Sequence, residues 1–246
     1  MGAAFDAGTA IGGVLYKDVK RALLAALAEG EWKPGEVIPS ERKLIERFGV
    51  SIGTLRKAID ELVAESIMIR HQGRGTFVAT HRLEDHFFRF FRIVRQDGHR
   101  AYPTVRLARF RKARADKDEA AALGLAVGAS VFRFTNVLSL EGQPVMIDAI
   151  TVPEARFRDL TEKQLRERPN TLYNFYQDVF GINIIRTEER LRATAAGEDE
   201  HALLGVEVGS PLLMVLRVAS SYHDERIEYR VSRVNTSHHE FSLSQP

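Results

Sequence analysis

Apolar residues in the first third of the chain recur every three to four positions, which is the spacing of one face of a helix. A first helix is predicted from Leu15 to Glu29, ending before Gly30. Two further helices are predicted from shorter apolar stripes, formed by Leu44, Ile45 and Phe48 and then by Leu55, Ile59, Leu62 and Val63. Two short strands around a Gly-Arg-Gly tip at residues 73–75 follow, and they close near Val78.

The break between the second and third helices is short and has clear capping signals. Ser40 is placed to cap the second helix, and Glu41 in its first turn suits the helix dipole. Gly49 permits the left-handed conformation that ends this helix, and Ser51 can cap the next one. The order of elements predicts a winged helix-turn-helix, whose third helix presents its first turns to the edges of DNA bases.

From Val105 onward, strand-like and helix-like segments alternate. Strands are predicted over 104–113, 130–140, 143–153 and 184–196, and a long hairpin over 211–236 turns near His223 and Asp224. Short helices are predicted over 116–125, from about 170 to 180, and over 197–206. The segments 118–137 and 198–218 resemble each other, each running from a helix through Leu-Gly and Val-Gly into an apolar strand. This weak repeat predicts an α+β domain with two related halves around one antiparallel sheet.

Four parts of the chain are expected: a disordered N-terminus (1–13), a winged helix-turn-helix domain (14–80), a linker (81–104) and a C-terminal domain (105–246). The linker interleaves Phe87, Phe88, Phe90 and Phe91 with arginines. Our main interpretation is a connector whose aromatic rings dock on a neighbouring core. The alternatives are a wall of an effector pocket and a stacking platform for single-stranded nucleic acid.

Composition excludes several classes of protein. The 246 residues contain no cysteine, so neither a disulfide framework nor a thiolate site is possible. No long apolar run predicts a membrane span, and the N-terminus has no secretory signal, so a cytoplasmic protein is expected. The net charge of +2 is weak evidence for nucleic acid. The argument for DNA binding therefore depends on the motif.

The motif resembles the N-terminal domain of the GntR family of bacterial transcription regulators. The similarity is carried by Pro39, Ser40, Glu41, Arg42, Leu44, Phe48, Gly49, Val50, Ser51, Thr54, Arg56, Ala58 and the run Gly73–Val78. This chain has Ile52 where the family usually has an arginine. Arginine is suited to bidentate contact with guanine, so base reading at that position is expected to change or relax.

The resemblance implies a double-stranded DNA operator bound by a homodimer. Candidate contacts in or beside the major groove are Arg42, Thr54, Arg56 and Lys57, with Ser40 and Ser51 at phosphates and Arg74 on the wing. The alternative for Arg56 is a surface ion pair with Asp60, four residues later.

The C-terminal part resembles the UTRA effector-binding domain of the HutC-like subfamily, which has a chorismate-lyase-like fold. The similarity is carried by Gly142 and Pro144, the segment 173–184, the segment 204–213 and the Ile-Glu-Tyr run at Glu228. Such domains bind small metabolites, and this binding controls the affinity of a dimer for its operator. The resemblance implies that residues 105–246 bind an effector and dimerise. The resemblance leaves open whether the ligand releases or promotes DNA binding.

The effector site is predicted by position. Where phosphosugar-binding relatives carry two arginines, this chain has Asn136 and Leu138, so a phosphosugar is disfavoured. Asp148, Tyr173, Arg186 and Glu228 match ligand-contacting positions. Asp148 could instead pair with an arginine on the sheet, and Tyr173 could simply pack a helix against it. The carboxylates suggest a polar ligand with a cationic or hydroxyl-rich portion.

No catalytic residue, metal site or cofactor is predicted. His238 and His239 are adjacent, and adjacent residues of a strand point to opposite faces, so they do not suit a single ion. Two alternatives to a metabolite-responsive repressor remain open. One is a chorismate-lyase-like enzyme fused to a DNA-binding head, and the other is a C-terminal domain that only dimerises.

Overall fold

The computed structural model describes residues 15–80, 90–169 and 171–243, which form two compact units. The predicted disordered N-terminus and the first part of the predicted linker lie outside the described residues. Residues 15–80 belong to the N-terminal unit and residues 90–243 to the C-terminal unit.

The N-terminal unit has three helices and a two-stranded antiparallel hairpin. Its elements are α1 (Leu15–Ala28), α2 (Glu41–Phe48), α3 (Ile52–Ala64), β1 (Met68–His71) and β2 (Gly75–Val78). The predicted apolar faces are buried, and Val19, Leu23, Leu55 and Leu62 have no exposed surface. Burying one such side chain contributes about 1.5–3 kcal/mol, so helix packing rather than intrinsic propensity holds these short helices together. The predicted winged helix-turn-helix is confirmed.

The C-terminal unit is built on a six-stranded antiparallel sheet in the order β4-β5-β6-β9-β8-β7. Its strands are β4 (Thr104–Arg114), β5 (Ser130–Leu140), β6 (Gln143–Pro153), β7 (Arg186–Ala195), β8 (Pro211–Ser220) and β9 (Arg226–Val234). Its helices are α4 (Lys117–Leu123), α5 (Glu162–Glu167), α6 (Leu172–Phe180) and α7 (Glu198–Leu204). Helix α5 was not predicted. The other elements confirm the predicted α+β class.

The strand order reflects the internal repeat. The first half runs β4, α4, β5, β6 and the second runs β7, α7, β8, β9, and the two halves meet where β6 pairs with β9. Both short helices end at a left-handed glycine, Gly124 and Gly205. In both, the glutamate of the third helical position, Glu119 or Glu200, accepts a hydrogen bond from the N-cap backbone N–H. The weak repeat in the sequence therefore corresponds to two related halves of one sheet.

One face of the sheet is covered by α6. Tyr176 and Phe157 are fully buried there, with ring centroids 4.7 Å apart in an edge-to-face arrangement. Thr171 caps the helix by accepting a hydrogen bond from the Asn174 N–H, and Gly181 ends it. Asn170, where this helix was predicted to begin, lies outside the described residues.

A small second sheet joins the two ends of the C-terminal unit. Strand β3 (Ile93–Arg95) pairs antiparallel with β10 (His239–Phe241), with Ile93 opposite Phe241. Ile93 is almost fully buried. The segment predicted as a linker therefore contains a strand that is packed into the C-terminal unit.

Candidate DNA-binding surface and ligand cavity

The turn between α2 and α3 sets the direction of the recognition helix. Gly49 has φ 65° and closes α2 with a bond from its N–H to the Ile45 carbonyl. Ser51 caps α3, because its Oγ accepts a 3.2 Å hydrogen bond from the Thr54 N–H. Ser40 occupies the N-cap position of α2, but its side chain makes no capping hydrogen bond with a described residue. The predicted capping is thus confirmed for Ser51 and wrong for the side chain of Ser40.

The exposed N-terminal half of α3 carries the residues predicted to face DNA. Ile52 is its first residue and is 48% exposed. Arg56 donates to both carboxylate oxygens of Glu41, with Nε at 3.1 and 3.0 Å and Nη2 at 2.8 Å. Its suggested partner Asp60 instead accepts from Arg70 at 2.7 Å. The surface ion pair of Arg56 therefore joins α3 to α2.

The other predicted DNA contacts lie around this helix. Lys57 places its Nζ 4.1 Å from the ring centroid of Tyr16 in α1. Arg42 is largely exposed and donates to Glu46 at 3.2 Å. Arg74 lies at the tip of the hairpin, where Gly75 has φ 110°, a conformation that side chains rarely adopt. The predicted cations thus lie in the recognition helix, the preceding helix and the wing.

A cavity of about 100 Å³ lies on the face of the sheet that α6 covers. Its polar floor is a row of side chains on neighbouring strands, because Asn136, Asp148 and Ser232 are successive cross-strand partners on β5, β6 and β9. All three are at most 5% exposed. Residues 90–93 form part of its wall, which is consistent with the alternative interpretation of this segment as a pocket wall.

A buried charge network surrounds Arg230 beside this floor. Arg230 donates through Nη1 to Asp148 at 2.9 Å and through Nε to Glu228 at 2.9 Å. Glu228 is fully buried and also accepts from the hydroxyls of Tyr173 at 3.1 Å and Tyr176 at 2.8 Å. Each carboxylate is therefore paired and hydrogen-bonded, which is the condition for keeping it charged in the interior.

The network shifts the pKa values of its members. Burial raises the pKa of Tyr173 to about 12, and the negative charge of Glu228 adds to the shift. Burial alone would lower the pKa of Arg230, but Glu228 and the other anionic neighbours outweigh it and raise that pKa well above its usual value. Tyr173 is therefore a neutral hydrogen-bond donor and Arg230 a cation at any physiological pH.

Three further arginines line the cavity: Arg92, Arg168 and Arg217. Arg217 lies opposite Arg230 on β8, contacts Glu189 at 2.6 Å and donates to the Phe90 carbonyl at 2.6 Å. Arg168 follows α5 and donates to the Leu165 carbonyl. Burial lowers the pKa of Arg168, and the nearby charge of Arg230 lowers it further, although Tyr176 acts in the opposite direction. Within the described residues, no carboxylate forms a salt bridge with Arg168.

Asn136 and Leu138, the two positions compared with the arginines of phosphosugar-binding relatives, both line the cavity. Asn136 is 2% exposed, and its Oδ1 finds no hydrogen-bond donor in the described part of the chain. Leu138 contributes an apolar wall. A buried acceptor left without a donor costs about 1–3 kcal/mol, so a donor on a ligand would be favourable here.

Three of the four predicted effector residues come together, and one does not. Asp148 and Tyr173 line the cavity, and Glu228 holds Tyr173 and Arg230 in place. Arg186 begins the edge strand β7, is half exposed and pairs with Glu188 and Asp224 at 3.1 and 3.0 Å. It lies outside the cavity lining, to which β7 contributes no residue.

The cavity arginines were missed at the level of sequence. Arg230 could have been predicted, because Glu228, Arg230 and Ser232 alternate along one strand and therefore share a face. Arg217 required the register between β8 and β9. Arg168 lies in an irregular segment after α5, and no periodicity points to it.

The described residues contain no group of three side chains suited to a metal ion. His239 pairs with Arg95 in the small sheet, and burial lowers its pKa. None of the helices in the described residues is long and apolar enough to cross a membrane.

Comparisons with known proteins match both units. Residues 15–78 match the family model described as "Bacterial regulatory proteins, gntR family", and residues 98–240 match the model of the UTRA domain. The chain is 27% identical over 236 residues to the HTH-type transcriptional repressor NagR of Bacillus subtilis strain 168, covering 94% of this chain and 96% of NagR. It is 28% identical to the histidine utilization repressor of Pseudomonas putida, covering 82% and 81%.

A solved structure supports the C-terminal assignment. The ligand-binding domain of a GntR-family transcriptional regulator from Bordetella bronchiseptica has a TM-score of 0.59 and is 33% identical, covering 63% of this chain and 96% of that domain. The protein belongs to the GntR family of bacterial transcription regulators, in the HutC-like subfamily that carries a UTRA domain. It is a DNA-binding transcriptional repressor by its family and relatives.

Proposed function

We propose that this repressor binds a roughly palindromic operator as a homodimer, and that a small metabolite in the cavity changes its grip on DNA. The observation that carries the proposal is the capped recognition helix in one unit together with a polar-floored cavity in the other. One winged head makes a small interface, so two heads on two half-sites would supply affinity and specificity. Such a regulator would act in the bacterial cytoplasm.

The DNA contacts are proposed from exposure and charge. Thr54 and Arg56 would reach base edges from the first turns of α3, with Arg56 exchanging Glu41 for DNA. Arg42, Lys57 and Arg74 would contact phosphates or the minor groove, and Ser40 and Ser51 would approach phosphates at the helix N-termini. Ile52 offers an apolar surface at the start of the helix, which suits a thymine methyl group rather than guanine.

Coupling to DNA is proposed to run through the segment that follows the N-terminal unit along the chain. Phe90, Phe91 and Ile93 line the cavity, and the Phe90 carbonyl accepts from Arg217. A ligand that contacts this wall would favour one position of the segment over another. Such coupling between sites is typically about 5- to 150-fold in affinity.

The cavity is proposed to bind its ligand without chemical turnover. The carboxylates near it are already paired with Arg230, and the tyrosines donate to Glu228. No general base is therefore left available among these groups, and the relatives named above are all regulators. A C-terminal domain that only dimerises is disfavoured by a buried polar floor that opens to a cavity.

The test is fluorescence anisotropy of the full chain on labelled DNA from upstream of its own gene, with excess nonspecific competitor. Competitor-resistant binding with one dimer for each DNA is expected. Binding that is weak, strongly salt-dependent and indifferent to sequence would contradict the proposal. Sedimentation of the complex checks the dimer separately.

A further inference from the structure

We propose that the cavity takes a small monoanionic ligand, with one carboxylate at Arg168, an apolar body and a hydrogen-bond donor facing Asn136. This inference rests on the proposed function, because it names the class of ligand for the same cavity. It differs from the expectation drawn from sequence, which favoured a cationic or hydroxyl-rich ligand beside the carboxylates.

The charge balance around the cavity carries the first step. Four arginines line the cavity in the described residues: Arg92, Arg168, Arg217 and Arg230. Three carboxylates pair with them: Asp148 and Glu228 with Arg230, and Glu189 with Arg217 at 2.6 Å and with Arg92 at 3.8 Å. Among the described residues, one positive charge is left without a carboxylate, so a ligand with one negative charge would balance the charges that the structure describes around the cavity.

Arg168 has unused hydrogen-bond donors that could bind that negative charge. Its one hydrogen bond in the described residues is to the Leu165 carbonyl, which uses Nη1 and leaves the rest of the guanidinium fork unused. Its desolvation is already large enough to lower its pKa. A carboxylate matches the fork in shape and offers two charge-assisted hydrogen bonds. Arg230, by contrast, is occupied by two carboxylates.

Asn136 supplies the second recognition point. Its Oδ1 is buried on the cavity floor and accepts no hydrogen bond from any described residue. An acceptor that faces a cavity in this state is suited to a hydroxyl or amide N–H on the ligand. The remaining wall is largely apolar, with Leu138, Met146, Val215 and Phe241 among its residues.

Size and charge together limit the ligand. A cavity of about 100 Å³ takes a small molecule. A phosphate monoester carries about −1.5 to −2 charges at neutral pH and would leave negative charge uncompensated against Leu138. The structure therefore favours a small carboxylic acid over a phosphosugar.

The test compares three matched series of probes by isothermal titration with the full chain. The first series is the hydroxy acids from 4-hydroxybutyrate to 7-hydroxyheptanoate, which have 7 to 10 non-hydrogen atoms. The second is their primary amides, and the third is the hydroxyalkyl phosphates with the same numbers of carbons. At least one acid is expected to bind ten times more tightly than its amide and its phosphate. The inference is overturned if no acid binds, or if amides or phosphates bind as tightly.

Two variants and one control test the assignment of the charge. Arg168→Gln should abolish the preference for the acid, whereas Arg166→Gln should keep it, because Arg166 is exposed and pairs with Glu162 on the same short helix. Leu138→Arg adds a positive charge and should raise affinity for the phosphate series at least tenfold, a gain that misfolding cannot produce. An unchanged preference in Arg168→Gln, or no gain in Leu138→Arg, overturns the inference.

Operator binding, measured in parallel on the same preparations, separates this inference from the proposed function. Specific DNA binding without a preference for acids would contradict the proposed ligand class and leave the proposed regulatory function standing. A preference for acids without specific DNA binding would support the proposed ligand class and contradict the regulatory role.

Discussion

The two units use arginine–carboxylate pairs in opposite ways. In the N-terminal unit, Arg56 and Glu41 meet on the surface, and their side chains are 56% and 35% exposed. In the C-terminal unit, Arg230 is paired with Asp148 and Glu228, and the three side chains are 10%, 2% and 0% exposed. Both pairs have short hydrogen bonds, so distance alone does not distinguish them.

The two pairs differ in whether water can solvate the charges once the pair is broken. An exposed arginine that leaves its partner is resolvated at once, so Arg56 can exchange a carboxylate for DNA at little cost. A buried arginine cannot leave without stranding two carboxylates in a medium that solvates them poorly. The surface pair therefore keeps a DNA-binding group in place, whereas the buried pair fixes the floor of the cavity.

The largest expected effect comes from breaking the buried pair. Arg230→Met leaves Asp148 and Glu228 without their cation, and the loss in the free energy of unfolding should be about 3–5 kcal/mol. Urea denaturation measures it. The control is Arg233→Met on the same strand, whose partner Glu200 lies at 3.2 Å with the arginine 28% exposed. A similar loss in both variants would show that the buried Arg230 network contributes no more to stability than the more exposed Arg233 pair.

The next effect concerns the surface pair and appears in DNA binding rather than in stability. Arg56→Gln should weaken operator binding by about 5- to 150-fold if Arg56 reads a base, with the melting temperature nearly unchanged. Anisotropy and thermal melting measure the two quantities. Arg47→Gln is the control, because Arg47 forms a comparable exposed pair with Glu31 outside the proposed contacts. Unchanged affinity in Arg56→Gln would leave the arginine a role in structure alone.

A half-buried pair should behave between these extremes. Glu119 accepts from Arg133, and although burial acts to raise the pKa of Glu119, Arg133 together with the hydrogen bonds from the Asp116 N–H and the Thr151 hydroxyl holds that pKa below its usual value. A lowered folded-state pKa contributes stability above the unfolded value of 4.5, and this is lost as pH falls through the folded-state pKa. Arg133→Gln should therefore cost about 1–2 kcal/mol at pH 7 and less near pH 3.

Urea denaturation of wild type and Arg133→Gln at both pH values measures that difference. An equal cost at pH 7 and pH 3 would show that the pair does not stabilise the charged form of Glu119.

The smallest effect is a titration at alkaline pH. Tyr173 has a pKa raised to about 12, against 10.0 for a free tyrosine. A raised folded-state pKa keeps its full contribution below pH 10 and loses it as the pH rises toward 12, because the unfolded chain ionises first. Burial also raises the pKa of Tyr176 well above its usual value, so tyrosinate absorbance should show late-titrating groups and one fewer of them in Tyr173→Phe. A wild-type titration complete near pH 10 would contradict this environment.

The secondary structure was largely predictable because it depends on local signals. The helical stripes of α1, α2 and α3, the left-handed Gly49 and the cap at Ser51 all lie within a few residues of the element they define. The internal repeat also predicted the related halves of the sheet. Helix α5 was missed, since six residues are too few for a periodic signal.

The candidate site was predicted only in part. Asp148, Tyr173 and Glu228 were assigned by position and come together around Arg230. Arg186 was assigned in the same way and lies on an edge strand outside the cavity. A position in a motif specifies the strand, but whether the side chain reaches the cavity depends on the register of that strand and on the helix packed over it.

The sequence by itself determined the two units, the winged helix-turn-helix and the uncharged side chains at Asn136 and Leu138, because each depends on residues close together in the chain. Only the tertiary structure decided which charges are still available. Arg230 is already paired with two carboxylates, Asp148 and Glu228, across two neighbouring strands, whereas Arg168 lines the same cavity without a carboxylate partner among the described residues. Electrostatic balance depends on distance and burial, and neither follows from the order of residues.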